Sequence, residues 1–330
     1  MGLRGYITKR IVYSLILIWA IITVNFLIFS MLPGDPMQQF VMSLRGNIDA
    51  ERFEELRHSL GLDQPLHQRY LTSLGNMLTF NFGVDTISGE PVFNHLKTPL
   101  LNTLLLMGIA EIFSIIVGIL LGVIAAYKRD TILDTTLTTG SLVTYSVPIF
   151  FLGWIMVLFF AVQLHWFPAG GIAPIEWSRN PPTNILQYIS GRLTYIILPA
   201  LTLFLFTVGG WILFTRACVL ETINEDYVLT ARAKGLKERT VLYKHVLKNA
   251  SLPIITNVAL AAAFLISGAI ITETLFSYNG MGLATWNAIY PTPILPTLQA
   301  IFYISGLLVV IANFIADLLY GIIDPRVRYG

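Results

Sequence analysis

"IVYSLILIWAIITVNFLIFSML", residues 11–32, runs for 22 residues without one charged side chain. As an α-helix it would reach about 33 Å, enough to cross a hydrocarbon core of roughly 30 Å. Arg4, Lys9 and Arg10 precede it, and "PGDP" follows at residues 33–36. A cleaved leader would have a shorter apolar core and a small-residue cleavage site. The stretch is therefore expected to be a first membrane helix that stays in the chain.

The composition agrees. Of 330 residues, 55% are hydrophobic and only 12% charged, and the mean hydropathy is +0.69. A soluble domain has about a quarter of its residues charged. Half of that cannot cover a water-facing surface, so an all-α integral membrane protein is expected. Five more apolar runs follow, at 100–126, 137–162, 195–214, 252–271 and 298–319. With the first they predict six membrane helices. Pro148, Pro199 and Gly209–Gly210 interrupt the runs, which membrane helices tolerate when neighbours satisfy the freed backbone. Residues 33–97 read instead as a hydrophilic segment. It has an amphipathic pattern near Glu51–Leu60 and a turn-rich end, "FNFGVDTISGEP".

Lysine and arginine bias sets the expected orientation. With the N-terminus inside, fourteen Lys and Arg fall on the inner segments and seven on the outer ones. Both termini are then cytoplasmic, and so is the polar stretch between the fourth and fifth runs. Several chemistries find no residues to carry them. One cysteine, Cys218, forms no internal disulfide and reads as a small apolar residue. The five histidines are scattered, with no metal-ligand spacing. No Gly-Lys pair offers a phosphate loop. No bound cofactor is expected in this chain, no metal and no catalytic residue.

"YVLTARAKGLKERTVLYKHVLKN", residues 227–249, is the most basic long stretch. Asp226 is placed to cap a helix starting at Tyr227. Gly235 is placed to end it in the left-handed conformation. Two turns are unstable alone in water, so something must hold them. Small Ala231 and Ala233 with Tyr227 and Val228 would let a partner's surface approach, and Arg232 and Lys234 could meet its carboxylates. Beyond Gly235, Val241, Leu242, His245 and Val246 share one side. A basic segment lying on anionic headgroups and a protein-docking segment both fit this pattern.

The stretch resembles the cytoplasmic signature loop, the "EAA…G" motif, of ATP-binding-cassette importer permeases, in its dipeptide/oligopeptide branch. Asp226, Tyr227, Val228, Thr230, Ala231, Arg232, Ala233, Lys234, Gly235 and Leu236 fit that branch's pattern. Leu229 stands where the family has a glutamate, and Lys248 where it often has a proline. Both departures are similar to those of the first of the two permeases in peptide systems. "LPGDP" (32–36), "LGLDQPL" (60–66), "NTLLL" (102–106), "WFPAGG" (166–171), "ILPALTL" (197–203), "ITETLFSYNGMG" (271–282) and "DPRVR" (324–328) also look like landmarks of that family, in its order.

The resemblance implies a type I importer permease fold. Residues 1–32 would be the N-terminal segment and first helix, and 33–97 a small extracytoplasmic subdomain. Residues 98–320 would be the transmembrane core, with a coupling helix at about 226–235, and 321–330 a cytoplasmic tail. It implies partners as well: a second related permease, two ATPase subunits that hold the ATP and magnesium, and an extracytoplasmic substrate-binding protein. The cargo would be di- or oligopeptides, with oligosaccharides or nickel complexes as alternatives. An ion-coupled secondary transporter gives no reason for the signature loop. An intramembrane hydrolase would need a nucleophile and base that do not stand out.

Some polar residues in apolar runs have two readings each. Glu111 could lie on a translocation path or be hydrogen-bonded against a neighbouring helix, since a charge facing lipid is costly. Asn257 and Ser267 could line the route or pack. The hydroxyls between Thr135 and Ser146 could do the same, although they more commonly bond their own helix. Asp317 is expected to pair with a nearby cation. Glu273 is expected either to shape the outer mouth or to be solvated at a helix end.

Overall fold

The computed structural model describes residues 3–31, 64–85, 89–264, 269–291 and 293–323. Among these the chain is helical, and the only β pairing is an isolated bridge between Val84 and Pro91. In chain order the helices are α1 (Leu3–Met31), α2 (Leu66–Leu78), α3 (Val92–Tyr127), α4 (Ile132–Ser146) and α5 (Ile149–Met156), which continues as the wider turns of Val157–Gln163. Then come α6 (Ile185–Ile223), α7 (Asp226–Ala233), α8 (Leu247–Phe264), α9 (Ile270–Leu275), α10 (Met281–Ile289) and α11 (Leu295–Ile323). A turn at Glu238–Thr240 and π-helical Val241–Val246 lead into α8.

Among the described residues four helices, α1, α3, α6 and α11, are long and apolar enough to cross a membrane. The third expected run is broken: α4 and α5 meet at 99° and count as a fifth span only if taken together. The break has a local cause. Pro148 has no amide hydrogen to continue the ladder, and Val147 before it takes the extended conformation (φ −76, ψ 130) that a following proline favours. The expected run at 252–271 coincides with α8 and then enters residues 265–268, outside the described ones. The expected amphipathic pattern at Glu51–Leu60 and the "DPRVR" tail also lie outside them.

α3 and α6 cross at close range because α3 presents only small residues there. Ala110, Ser114, Gly118, Gly122 and Ala126 are all buried, and four-residue steps put them on one face. The Ser114 hydroxyl lies 2.7 Å from the hydroxyl of Thr207 on α6. A Cβ on Gly118 would run into the Trp211 side chain, and one on Gly122 would lie 2.6 Å from Thr215 Cβ and 2.8 Å from the Ile212 carbonyl. On another side of α6, a Cβ on Gly209 would lie 2.5 Å from the Ser141 carbonyl of α4. α6 is thus gripped between α3 and α4. The α4 hydroxyls of Thr136, Ser141 and Thr144 bond carbonyls of their own helix, and that of Thr135 bonds the Thr131 carbonyl just before the helix.

α1 and α11 form a second pair, joined through Ile22, Tyr303 and Ile304 and by Asn25 donating to the Gln299 carbonyl at 3.0 Å. Asp317 pairs with Arg10 at 2.9 Å, as expected of it. The Tyr6 hydroxyl donates to the Asp317 carbonyl.

The α3–α6 approach makes a direct prediction. Gly118→Ala should cost about 1–3 kcal/mol, the usual cost of forcing atoms into a filled contact. Gly140→Ala, where a Cβ meets nothing within 4 Å, should be neutral or slightly stabilising. Thermal unfolding of the detergent-purified chain checks both. Equal midpoints for the two variants would mean that the close crossing does not support the fold.

Candidate functional site

Two clusters of polar residues sit at opposite ends of α6. The first is built around α7, which follows α6 after a two-residue turn. The helix begins at Asp226, with Glu225 in extended conformation before it and no side-chain cap. This corrects the expected cap: with the start one residue earlier, Asp226 lies in the first turn, where its charge favours the helix through the macrodipole. The other end is as expected. Gly235 has φ +74, and its amide donates to the Arg232 carbonyl at 2.9 Å.

α7 is held from its own side. Val228 is completely buried and Ala231 nearly so, in a core with Ala126, Cys218, Val219, Val241 and Val246. The expectation that Val228 and Ala231 would meet a partner is therefore corrected: small Ala231 permits close approach to the chain's own helices. Arg232 is also engaged at home, its guanidinium donating to both carboxylate oxygens of Glu238 at 2.9 and 3.4 Å. The exposed face is Tyr227, Leu229, Thr230, Ala233, Lys234 and Leu236. Leu229 is 67% exposed.

Near this end Arg216 of α6 grips buried Asp134 of α4 with two parallel bonds, Nε to Oδ1 at 2.6 Å and the second nitrogen to Oδ2 at 2.8 Å. Asp134 also accepts from the Asp130 amide and the Thr138 hydroxyl. A bidentate arginine–carboxylate pair fixes orientation as well as distance. Sequence reasoning counted Arg216 only as a positive charge and missed Asp134. The available signal was a carboxylate beside an apolar run.

The second cluster joins three fragments that are far apart in sequence: "NTLLL", "WFPAGG" and "ITETLFSYNGMG". Glu273 is fully buried, so the reading of it as a solvated helix end is corrected. Its Oε1 accepts from the Thr103 hydroxyl at 2.7 Å, and its Oε2 from the amides of Gly282 and Leu283 at 2.7 and 3.1 Å. Those amides are free first-turn donors of α10, so Glu273 caps α10 from the preceding helix. Thr103 accepts from the Met281 amide. The Asn102 amide group donates to the Asn279 carbonyl at 2.6 Å, and Arg192 of α6 donates to the Asn102 side chain at 2.5 Å. The Gly171 amide donates to the Phe276 carbonyl. A Cβ on Gly170 would crowd that same carbonyl. Asn102 and Thr103 lie in a fragment that the sequence marked but gave no role, and Arg192 was read only as a positive charge.

The remaining candidates are scattered. Glu111 is half-buried and accepts from the Trp211 indole at 2.8 Å, a bond open to either of its two readings. Asn257 is half-buried on α8. Ser267 lies outside the described residues. Nowhere among the described residues do these groups pair a nucleophile with a base; the bonds hold helices in position.

Residues 118–329 match the family model described as binding-protein-dependent transport system inner membrane component. Residues 3–89 match the model of the N-terminal part of such membrane components. The chain is similar to the oligopeptide transport system permease protein AppB of Bacillus subtilis, with 35% identity over 99% of this chain and 100% of the relative. It is 34% identical to the di/tripeptide transport system permease protein DppB of Pseudomonas aeruginosa, covering 98% and 99% of the two chains. The dipeptide transport system permease protein DppB of Haemophilus influenzae is 36% identical, covering 98% of this chain and 99% of the relative.

Glu273 lies outside the candidate spans, and burial raises its carboxyl above the ordinary value of 4.5, against the pull of Thr103 and the backbone amides. A raised acid stabilises the fold most while neutral, and that contribution is lost as pH climbs from about 4.5 through the raised value. Glu273→Gln, neutral throughout and still able to accept from both amides, should flatten this loss. Melting temperatures from about pH 4 to 8 test it. Parallel profiles for the two proteins would show that Glu273 does not titrate with folding.

Proposed function

The chain belongs to the family of binding-protein-dependent transport system inner membrane components, and on that premise we propose that it is the permease subunit of an ATP-driven peptide importer. It is a multi-pass membrane protein, and its relatives are named for oligopeptide and dipeptide transport. The observation that carries the mechanism is α7. It is a two-turn helix anchored inward by Val228 and Ala231, exposed outward through Tyr227, Leu229 and Leu236, and joined by two residues to a 39-residue helix.

In this reading α7 is the coupling helix. Asp226, Tyr227, Thr230, Ala233, Lys234, Gly235 and Leu236, with Leu229, form or border the surface that a cytoplasmic ATPase subunit takes up. Val228 and Ala231 hold the helix to its own bundle, and exposed Arg232 pairs with Glu238 just beyond it. Closure of two ATPases on ATP and magnesium moves α7, and α6 carries the movement into the membrane. The chain itself needs no nucleotide site. It forms half of the pathway and pairs with a second, related permease, and an extracytoplasmic binding protein delivers the cargo. Both termini are cytoplasmic. Residues 98–320 are the transmembrane core, completed to six spans by α8 and the α4–α5 pair, and residues 33–97 are an extracytoplasmic subdomain. Glu111, Asn257 and Ser267 are the polar side chains proposed for the route.

The names of the relatives favour peptides over oligosaccharides and nickel complexes as cargo. The test is the ATPase activity of the reconstituted assembly with binding protein loaded from each class. Stimulation by peptides alone is the expected result, and stimulation by sugar or metal complex alone would replace the cargo.

Gly235 supplies the coupling test. With no atom of the described residues within 4 Å of a Cβ there, a substitution acts within this chain only through its positive φ, which costs a residue with a side chain about 1–2 kcal/mol, and Gly235→Asn controls for the added bulk. Gly235→Val should still assemble but lose most of the peptide stimulation. Gly235→Asn, which tolerates that conformation, should keep most of it. Full stimulation in the valine variant would remove α7's end geometry from the coupling mechanism.

A further inference from the structure

The turn between α3 and α4 and the end of α7 enclose an open groove of about 400 Å³. Its floor is apolar: Ala126 is buried, and Leu220 and Ile223 of α6 are partly so. Its rim is basic. Lys128, Arg129 and Arg232 line it against one carboxylate, Glu238, which Arg232 already holds at 2.9 Å. Arg129 reaches Asp130 at 3.3 Å through largely exposed side chains. Such a pair holds weakly in water. Lys128 packs over the Tyr127 ring at 5.8 Å and has no ion pair among the described residues. Two cations are thus left available at the mouth.

The surface leading to the groove is equally specific. Ile116, Leu120 and Ile124 are exposed large apolar residues on α3, at four-residue steps that end on Lys128. The i, i+4 spacing makes them one line along the helix. An apolar track of about 18 Å, roughly twelve residues at about 1.5 Å each, ends at an ammonium and a guanidinium where the membrane span stops. A ligand that matches both parts has a hydrocarbon chain joined to an anionic head. Basic pockets at the headgroup level of helical bundles take phosphate-bearing lipids in this way.

We infer that this groove binds the phosphate headgroup of an anionic phospholipid, with an acyl chain along Ile116, Leu120 and Ile124 and the phosphate between Lys128 and Arg129. The site lies beside α7 but does not use its exposed face. It goes beyond the importer reading, because the chemistry requires only that α3 crosses the membrane.

Native mass spectrometry of the full chain, released from detergent with equal phosphatidylglycerol and phosphatidylcholine, tests it. The wild type should retain phosphatidylglycerol preferentially. Lys128→Gln with Arg129→Gln should lower that preference by about fivefold per cation removed, and Lys128→Arg should keep it. If the double variant does not fold, Lys128→Gln alone should show the single loss of about fivefold. Equal retention of the two lipids overturns the proposal, as does unchanged preference in the glutamine variants. Displacement by equimolar glycerol phosphate would make the site one for soluble phosphate esters instead. Loss of ATPase-subunit association in the double variant, with lipid retention unchanged, would make the groove a protein contact.

Discussion

Two helices in lipid gain little from hiding apolar surface, since the acyl chains around them are as apolar as leucine. What joins them is close packing and interhelical hydrogen bonding. The α3–α6 crossing supplies both. Ser114, Gly118 and Gly122 remove the side-chain bulk that would separate the backbones, and Ser114 and Thr207 share a hydroxyl contact at 2.7 Å. The rest of the bundle depends on this crossing. α4 packs on α6 at Gly209, α7 follows α6 after two residues, and the cluster around Glu273 is tied to α3 through Asn102 and Thr103 and to α6 through Arg192.

The crossing therefore turns α6 into a shaft with something built at each end. At one end Val228 and Ala231 clamp α7 to the helices beside it, and Asp134 holds Arg216 in two parallel bonds. At the other, Arg192 holds Asn102, which holds the turn before α10. A signal passing along such a shaft needs a place where it can take a second arrangement. Two features of α6 are of the kind at which long helices bend. Pro199 removes a backbone bond from the helix interior, and the Gly209–Gly210 pair lacks side chains where α4 presses on it. Kinks in long helices concentrate at such residues. Both lie between the two ends, so a bend there changes their relation without breaking the bonds at either.

What could be read from the sequence depended on how local the information was. The first run, 11–32, needed only a count of charges, and α1 answers to it. Gly235 needed only the rule that a helix end prefers glycine at positive φ. The Asp134–Arg216 pair and the Thr103–Glu273 pair could not be read, because their members are 82 and 170 positions apart and no local pattern connects them. The break at Val147–Pro148 was visible as a proline but not as a 99° bend, since prolines at 99, 199 and 253 stay inside helices. α7 failed differently. Over eight residues, Val228 and Ala231 share a face, but so do Tyr227, Thr230 and Lys234. Small size marks a close approach without saying to whom.

The inward turn of Val228 and Ala231 changes what the outer surface of α7 must do. With Arg232 held by Glu238, the exposed face offers Lys234, which has no ion pair among the described residues, beside Tyr227, Leu229 and Leu236. Leu229 at 67% exposed is costly on a segment that faces water. A cluster of exposed apolar side chains of this kind marks a contact surface. Fully burying one leucine contributes about 1.5–3 kcal/mol, several times what an exposed ion pair supplies. At Leu229 this chain places a side chain whose burial stabilises a contact more than a surface charge can. On the coupling reading proposed above, a surface that receives α7 is expected to be apolar opposite Leu229, with a carboxylate set to one side for Lys234. On that reading, shape and burial at the centre of α7 dominate the contact, with charge at its edge.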